Sequence, residues 1–167
     1  FSRTDGWRSL TACKRRFVGA ARYLQGYDVH PAGHAVAITA RGRPFSFALW
    51  EGAVTQHGVP DGVRYRLTAW LHDGKRLVTV SDAAGEEALE IHAVPPAEPG
   101  APAIRLEGLD IGRPTELRAS PTGDRVALAN HRNELILVDL EAGSAQVLDR
   151  SRYEAIRGLA WSPDGHW

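Results

Sequence analysis

The sequence predicts an all-β fold, a partial β-propeller of about three four-stranded antiparallel blades plus the start of a fourth. One observation is a recurring tetrapeptide. Ser162-Pro163-Asp164-Gly165 has a counterpart in Ser120-Pro121-Thr122-Gly123 and weaker ones in His30-Pro31-Ala32-Gly33 and Leu71-His72-Asp73-Gly74. A second is its period: the four glycines stand 41, 49 and 42 residues apart, the length of one propeller blade. A third is the apolar strand after each of the first three copies: Ala35-Val36-Ala37-Ile38, Leu77-Val78-Thr79-Val80 and Val126-Ala127-Leu128-Ala129.

The tetrapeptide has the chemistry of a chain reversal. Proline in its second place has φ preset for a type I turn, and Asp or Thr in the third can hydrogen-bond nearby backbone N–H groups. Glycine in the fourth place accepts the left-handed conformation that returns the chain to an antiparallel partner. One copy would be any hairpin; four in register read as a repeat.

Taken in order, residues 1–20 lack periodicity and are expected to be a connector or the edge of a preceding domain. Their basic run Lys14-Arg15-Arg16 reads as solvated surface. The first blade is expected over 21–58. Tyr23, Leu24, Tyr27 and Val29 lie on its opening strand, His34 to Arg41 on the second, Gly42-Arg43-Pro44 in a reversal and Phe45 to Trp50 on the third. Phe45, Phe47 and Leu49 alternate, the period of a half-buried strand. A short outer strand comes next, near Ala53 to His57.

The second blade is expected over 59–111, with strands Val63 to Leu71, Lys75 to Ser81 and Ala88 to Val94. A proline-rich loop over 95–102 accounts for its longer spacing. The third, over 112–150, has strands Thr115 to Ala119, Asp124 to Ala129, Glu134 to Leu140 and Ala145 to Leu148. Residues 151–167 begin a further blade, with Ile156 to Trp161 as its first strand. Propellers need about four to eight blades to close, and Phe1 is not a methionine; the sequence reads as part of a longer chain.

Composition narrows the function. Twenty basic and twenty acidic residues balance to a formal charge of zero, so neither nucleic acid nor an anionic membrane is an expected partner. No run approaches the roughly 20 apolar residues of a membrane-spanning helix. A single cysteine, Cys13, excludes an internal disulfide or a cysteine-based zinc site within these residues.

Signatures of catalysis are missing: no Gly-x-Ser-x-Gly elbow, no His-Glu-x-x-His and no Gly-rich phosphate loop. His30 and His34 are four apart but straddle a turn, so turn polarity outweighs a zinc pair. His57, His72, His92, His131 and His166 lack ligand-spaced neighbours. Ser81, beside Asp82, and Ser151 have no local activating base. Trp50, Trp70 and Trp161 stand at or near strand ends, where packing between blades is their expected role.

Trp161-Ser162-Pro163-Asp164-Gly165 resembles the turn motif of propellers in the TolB, prolyl-oligopeptidase and tricorn-protease groups. Arg16-Phe17-Val18, Ala21-Arg22-Tyr23-Leu24 and Tyr27-Asp28-Val29 resemble the opening of the second propeller of tricorn-type proteases. Ser81 to Glu86, and Asp149 to Tyr153 with Ile156-Arg157, are similar to that family's blades. Departures lie at Leu71-His72-Asp73-Gly74, which lacks the proline, and at His30-Pro31-Ala32-Gly33, which lacks the acid.

The resemblance implies a cytoplasmic, oligomeric serine peptidase that degrades oligopeptides, with a PDZ-like domain and catalytic domains downstream of the propellers. For these residues it implies a non-catalytic part that guides or gates peptides toward a distant active site. No position matches the family's catalytic motifs, so no catalytic, cofactor-binding or metal residue is assigned and no cofactor is expected. The rival readings are a TolB-like scaffold for protein–protein contact and the propeller of a prolyl-oligopeptidase-type enzyme.

Overall fold

The computed structural model describes residues 20–96 and 102–167. The basic run Lys14-Arg15-Arg16, the Arg16-Phe17-Val18 stretch, nearly all of the expected connector and the middle of the proline-rich loop lie outside the described residues.

The described strands form three four-stranded antiparallel sheets, each an up-and-down meander. In the first, β1 (Leu24–Val29), β2 (Ala35–Ala40), β3 (Arg43–Ala48) and β4 (Thr55–Gln56) lie in chain order. The second holds β5 (Tyr65–Trp70), β6 (Arg76–Ser81), β7 (Ala88–Ala93) and β8 (Ile104–Leu106). In the third are β9 (Pro114–Ala119), β10 (Arg125–Asn130), β11 (Glu134–Asp139) and β12 (Ser144–Arg150). The first strands are neighbours, β1 against β5 and β5 against β9, so the sheets stand side by side like blades around one inner edge. This is a partial β-propeller.

The first three tetrapeptides recur at one corner, between the first and second strand of each blade, and the fourth follows a segment without a strand. Gly33, Gly74 and Gly165 donate their N–H to the carbonyls of His30, Leu71 and Ser162 at 2.7, 3.0 and 2.9 Å, closing a reversal in three of the copies. Their φ values are +75°, +62° and +70°. Gly123 departs from the expectation, being absent from the left-handed region. There the turn is tied instead by Arg125 N–H to Gly123 O at 2.8 Å and by the Ser120 hydroxyl.

Other details also differ from the sequence reading. Arg41 and Gly42 both take positive φ, +53° and +74°, so the first hairpin turns on two residues, and Arg43 and Pro44 belong to β3. On that strand the buried side is Pro44 and Ser46, while Phe45 and Phe47 are only half-buried. The short strand β8 comes after the proline-rich loop, where three residues are too few to leave a periodic signature. Ile156 to Trp161 forms no strand. It runs beside β9 through side chains: Glu116 accepts from the N–H of Gly158 and Leu159, and Trp161 Nε1 donates to Arg118 O at 2.9 Å. Among the described residues no second strand is present for this segment to ladder with.

The two junctions between blades differ in kind. Between the second and third, Val78, Val80, Leu89 and Ile91 face Val126, Leu128, Ile136 and Val138 in a single apolar core. Between the first and second, a small apolar cluster of Ala35, Ala37, Trp70 and Leu77 gives way to polar groups. There the hydroxyls of Thr39, Thr68 and Thr79 form a chain with links of 2.8 and 3.1 Å. Alternation along each strand produces this split, because odd and even residues of β6 and β7 look toward different neighbours. Trp70, 5% exposed, packs at a blade junction as expected, whereas Trp50 is 93% exposed.

Candidate functional site: the inner cleft

The three first strands converge on a cleft of about 650 Å3. Tyr27 and Asp28 come from β1, Arg66 and Leu67 from β5, Leu117 and Arg118 from β9, with Arg64 just ahead of β5. These strands lie at sheet edges, so their outer backbone groups are without ladder partners in their own blade.

Three charged groups of the wall have defined partners. An Asp28 carboxylate oxygen accepts the N–H of Trp70 at 2.7 Å, tying the first blade to the second. Burial raises the Asp28 pKa, while the Trp70 bond and the positive Arg118 act in the opposite direction. Arg66 donates to both Glu87 oxygens, at 2.7 and 2.5 Å, and to Pro114 O at 3.0 Å. It is thereby stretched from the second blade to the third. Arg118 lies 3.0 Å from Glu116 and remains half exposed on its side chain.

Leu67 is the unusual residue of the wall. Its φ of +54° is rare for a side-chain-bearing residue, and it sits where the β5–β6 register shifts between Arg66 and Ala69. The bulge bends β5 locally, and the Arg66 carbonyl is held by the Thr79 hydroxyl at 2.9 Å. Guanidinium groups, a partly desolvated carboxyl and exposed strand edges can hold an extended polar chain by charge and hydrogen bonding. None of these seven residues is a serine, cysteine or histidine.

The histidines and serines singled out in the sequence fall elsewhere, whereas Trp70 is part of the cleft wall. His30 and His34 meet across their turn with tilted rings, centroids 4.0 Å apart, and His30 Nε2 lies 2.9 Å from Gly74 O. Ser81 is buried and donates to Glu90 at 2.6 Å. Ser151 caps the N–H of Glu154 at 3.2 Å. His57 and His92, distant in sequence, meet in the polar junction with rings 6.0 Å apart. Among the described residues no group of three or more His, Cys, Asp or Glu side chains is gathered so as to hold a metal ion. No helix among them is long and apolar enough to cross a membrane. Neither the cleft wall nor the histidine pair has a local sequence signature.

The class is therefore that of β-propeller proteins, present here as three adjoining blades with their inner edges on a common cleft. Within that class the chain belongs to the tricorn protease second beta propeller domain family, whose sequence profile matches residues 24–167. It is 34% identical over 152 residues to "Tricorn protease homolog 1" of Streptomyces coelicolor, covering 90% of this chain and 14% of that protein. With "Tricorn protease homolog" of Saccharolobus solfataricus it shares 28% over 152 residues, covering 91% of this chain and 13% of the other. The chain thus spans only about one seventh of these relatives. A crystal structure of the tricorn protease superposes with a TM-score of 0.71 at 21% identity, covering 87% of this chain and 13% of the other. TolB from Acinetobacter baumannii superposes at 0.60, with 21% identity and coverage of 85% and 36%. Both superpositions speak for the fold alone.

Proposed function

We propose that this chain is a non-catalytic propeller segment of a tricorn-like serine peptidase, and that its inner cleft guides or gates oligopeptides on their way to a distant active site. The observation that carries this reading is the family match over residues 24–167. The cleft supports it, since its charged wall and strand edges suit an extended peptide backbone better than a compact ligand. On this reading the partners are further blades, a PDZ-like domain and the catalytic domains of the parent, in a cytoplasmic homo-oligomer. The half-buried Ile38, Phe45 and Phe47 on the first blade would lie under one of those further blades. Catalytic serine and histidine would be supplied by the parent, none by these residues, and no metal or cofactor takes part.

The test has two parts. The isolated chain is expected to leave fluorogenic peptides intact; turnover abolished by a serine-directed inhibitor would overturn the non-catalytic assignment. In the parent enzyme, Leu67→Trp should narrow the cleft, slowing hydrolysis of oligopeptides while sparing a single-residue amide substrate. Equal rates on both substrates with wild type would remove the guiding role. Likeness to TolB rests on the fold alone and favours no scaffold reading.

A further inference from the structure

His57 and His92 come from separate blades and are 3% and 4% exposed. His57 Nε2 has one partner, the Ser46 hydroxyl at 2.7 Å. His92 Nε2 is buried without a hydrogen-bond partner, 3.6 Å from Glu90 Oε2. Glu90 is already engaged through its other oxygen, by Ser81 at 2.6 Å and Arg105 at 3.0 Å. The ring centroids of the two histidines are 6.0 Å apart, and Tyr65 stands edge-on to His92 at the same distance.

We propose that this pair is an acid-sensitive latch between the first and second blades, closed while both imidazoles are neutral and opened when they take up protons.

The groups facing it are few. β3 contributes the Ser46 hydroxyl, and the Thr39 hydroxyl of β2 donates to Thr68 in the same junction. Tyr65 faces it from β5, Glu90 from β7 and Arg105 from β8, with Asp82 acting on Tyr65 from the following turn. Among the described residues the carboxylate that meets an imidazole here is that of Glu90, 3.6 Å from His92 and already held by Arg105. A charged His57 would have no anionic partner of its own and would sit beside a second positive ring. Burial, and then the neighbouring His92, lowers His57 from 6.5 to about 4. Burial also lowers His92, with Glu90 opposing it. A folded-state value below the unfolded one means that the opened state binds more protons. The latch is thus fully closed above about 6.5 and weakens as pH falls toward about 4. The second junction has an aliphatic core, with Arg76, Asp124 and His72 meeting at its corner, and holds no buried histidine pair among the described residues.

Amide hydrogen exchange of the full chain, corrected for its intrinsic pH dependence, tests this at about pH 7.5 and about pH 5. From the His57 values, protection in β3 to β5 should fall on the order of thirtyfold between these conditions, while β9 to β11 hold. An equal loss at both junctions, or none, would overturn the proposal. His57→Gln with His92→Gln keeps polar side chains but cannot titrate, and should abolish the selective loss; retention of the full effect in that variant also overturns it. Should the double variant not fold, the wild-type contrast between junctions decides alone.

Discussion

His30 Nε2 lies 2.9 Å from the carbonyl oxygen of Gly74, joining the corner turn of the first blade to the corner turn of the second. The relation recurs along the array in altered chemistry. Arg76 in the second corner holds Asp124 in the third, and the Thr122 hydroxyl reaches Asp164 O in the fourth at 3.4 Å. Gly74 and Gly165 therefore have two duties, a left-handed turn and room for the preceding corner.

Gly74 and Gly33 separate these duties. Both have positive φ, but a Cβ on Gly74 would collide with His30 Nε2, whereas one on Gly33 meets nothing within 4 Å. Gly33→Ala is expected to cost about 1–2 kcal/mol for backbone strain alone. Gly74→Ala should cost more, and His30→Ala in the same chain should recover the excess. Urea midpoints of the four proteins measure this; equal costs at the two glycines would refute the second duty.

Arg76 ties the second blade to the third through a bidentate pair with Asp124, at 2.8 and 2.7 Å, while its Nε meets Asp73 at 2.5 Å. Asp124→Asn breaks the fork and should lower stability by about 1–3 kcal/mol. Asp73→Asn should do less, because the Asn side-chain oxygen can still accept the N–H of Lys75 and Arg76 that Asp73 holds in its own turn. Repeating the denaturation in high salt should shrink the Asp124 effect only in part, since the pair is partly shielded.

The apolar junction makes a sharper demand. Leu128 is 0% exposed between the second and third blades, while Leu137, pointing to the other side of the third sheet, is half-buried. Leu128→Ala should cost about 2–5 kcal/mol by cavity formation. Leu137→Ala should cost clearly less, and thermal denaturation of the two variants would reveal the difference.

Glu134 carries an acid-side dependence. Its carboxylate accepts from Asn130 Nδ2 at 2.7 Å and Arg132 Nε at 2.8 Å, and also pairs with Arg150. The Asn130 amide, then the two guanidiniums, hold it down at about 2 against desolvation. A folded value below the ordinary 4.5 means that this stabilisation is complete above 4.5 and is lost as pH falls toward about 2. Glu134→Gln should lower stability near neutrality and flatten the stability curve over that window. An unchanged acid slope in the variant would count against this assignment.

By itself the sequence determined the repeat, its corners and the strand order, because turn chemistry and period-2 alternation are local and are written in adjacent residues. Ser120-Pro121-Thr122-Gly123 and the strands around it could be read in this way, as could the packing role of Trp70. Only the tertiary structure decided what each strand face meets. It set Ser46 inward with Phe45 and Phe47 outward, made one junction polar and the other apolar, and paired His57 with His92 across 35 residues of chain. It likewise brought Asp28, Arg66 and Arg118 into one cleft. Alternation says that two faces exist; which neighbour covers each face depends on how whole sheets stack, and residues a blade apart carry no local mark of their meeting.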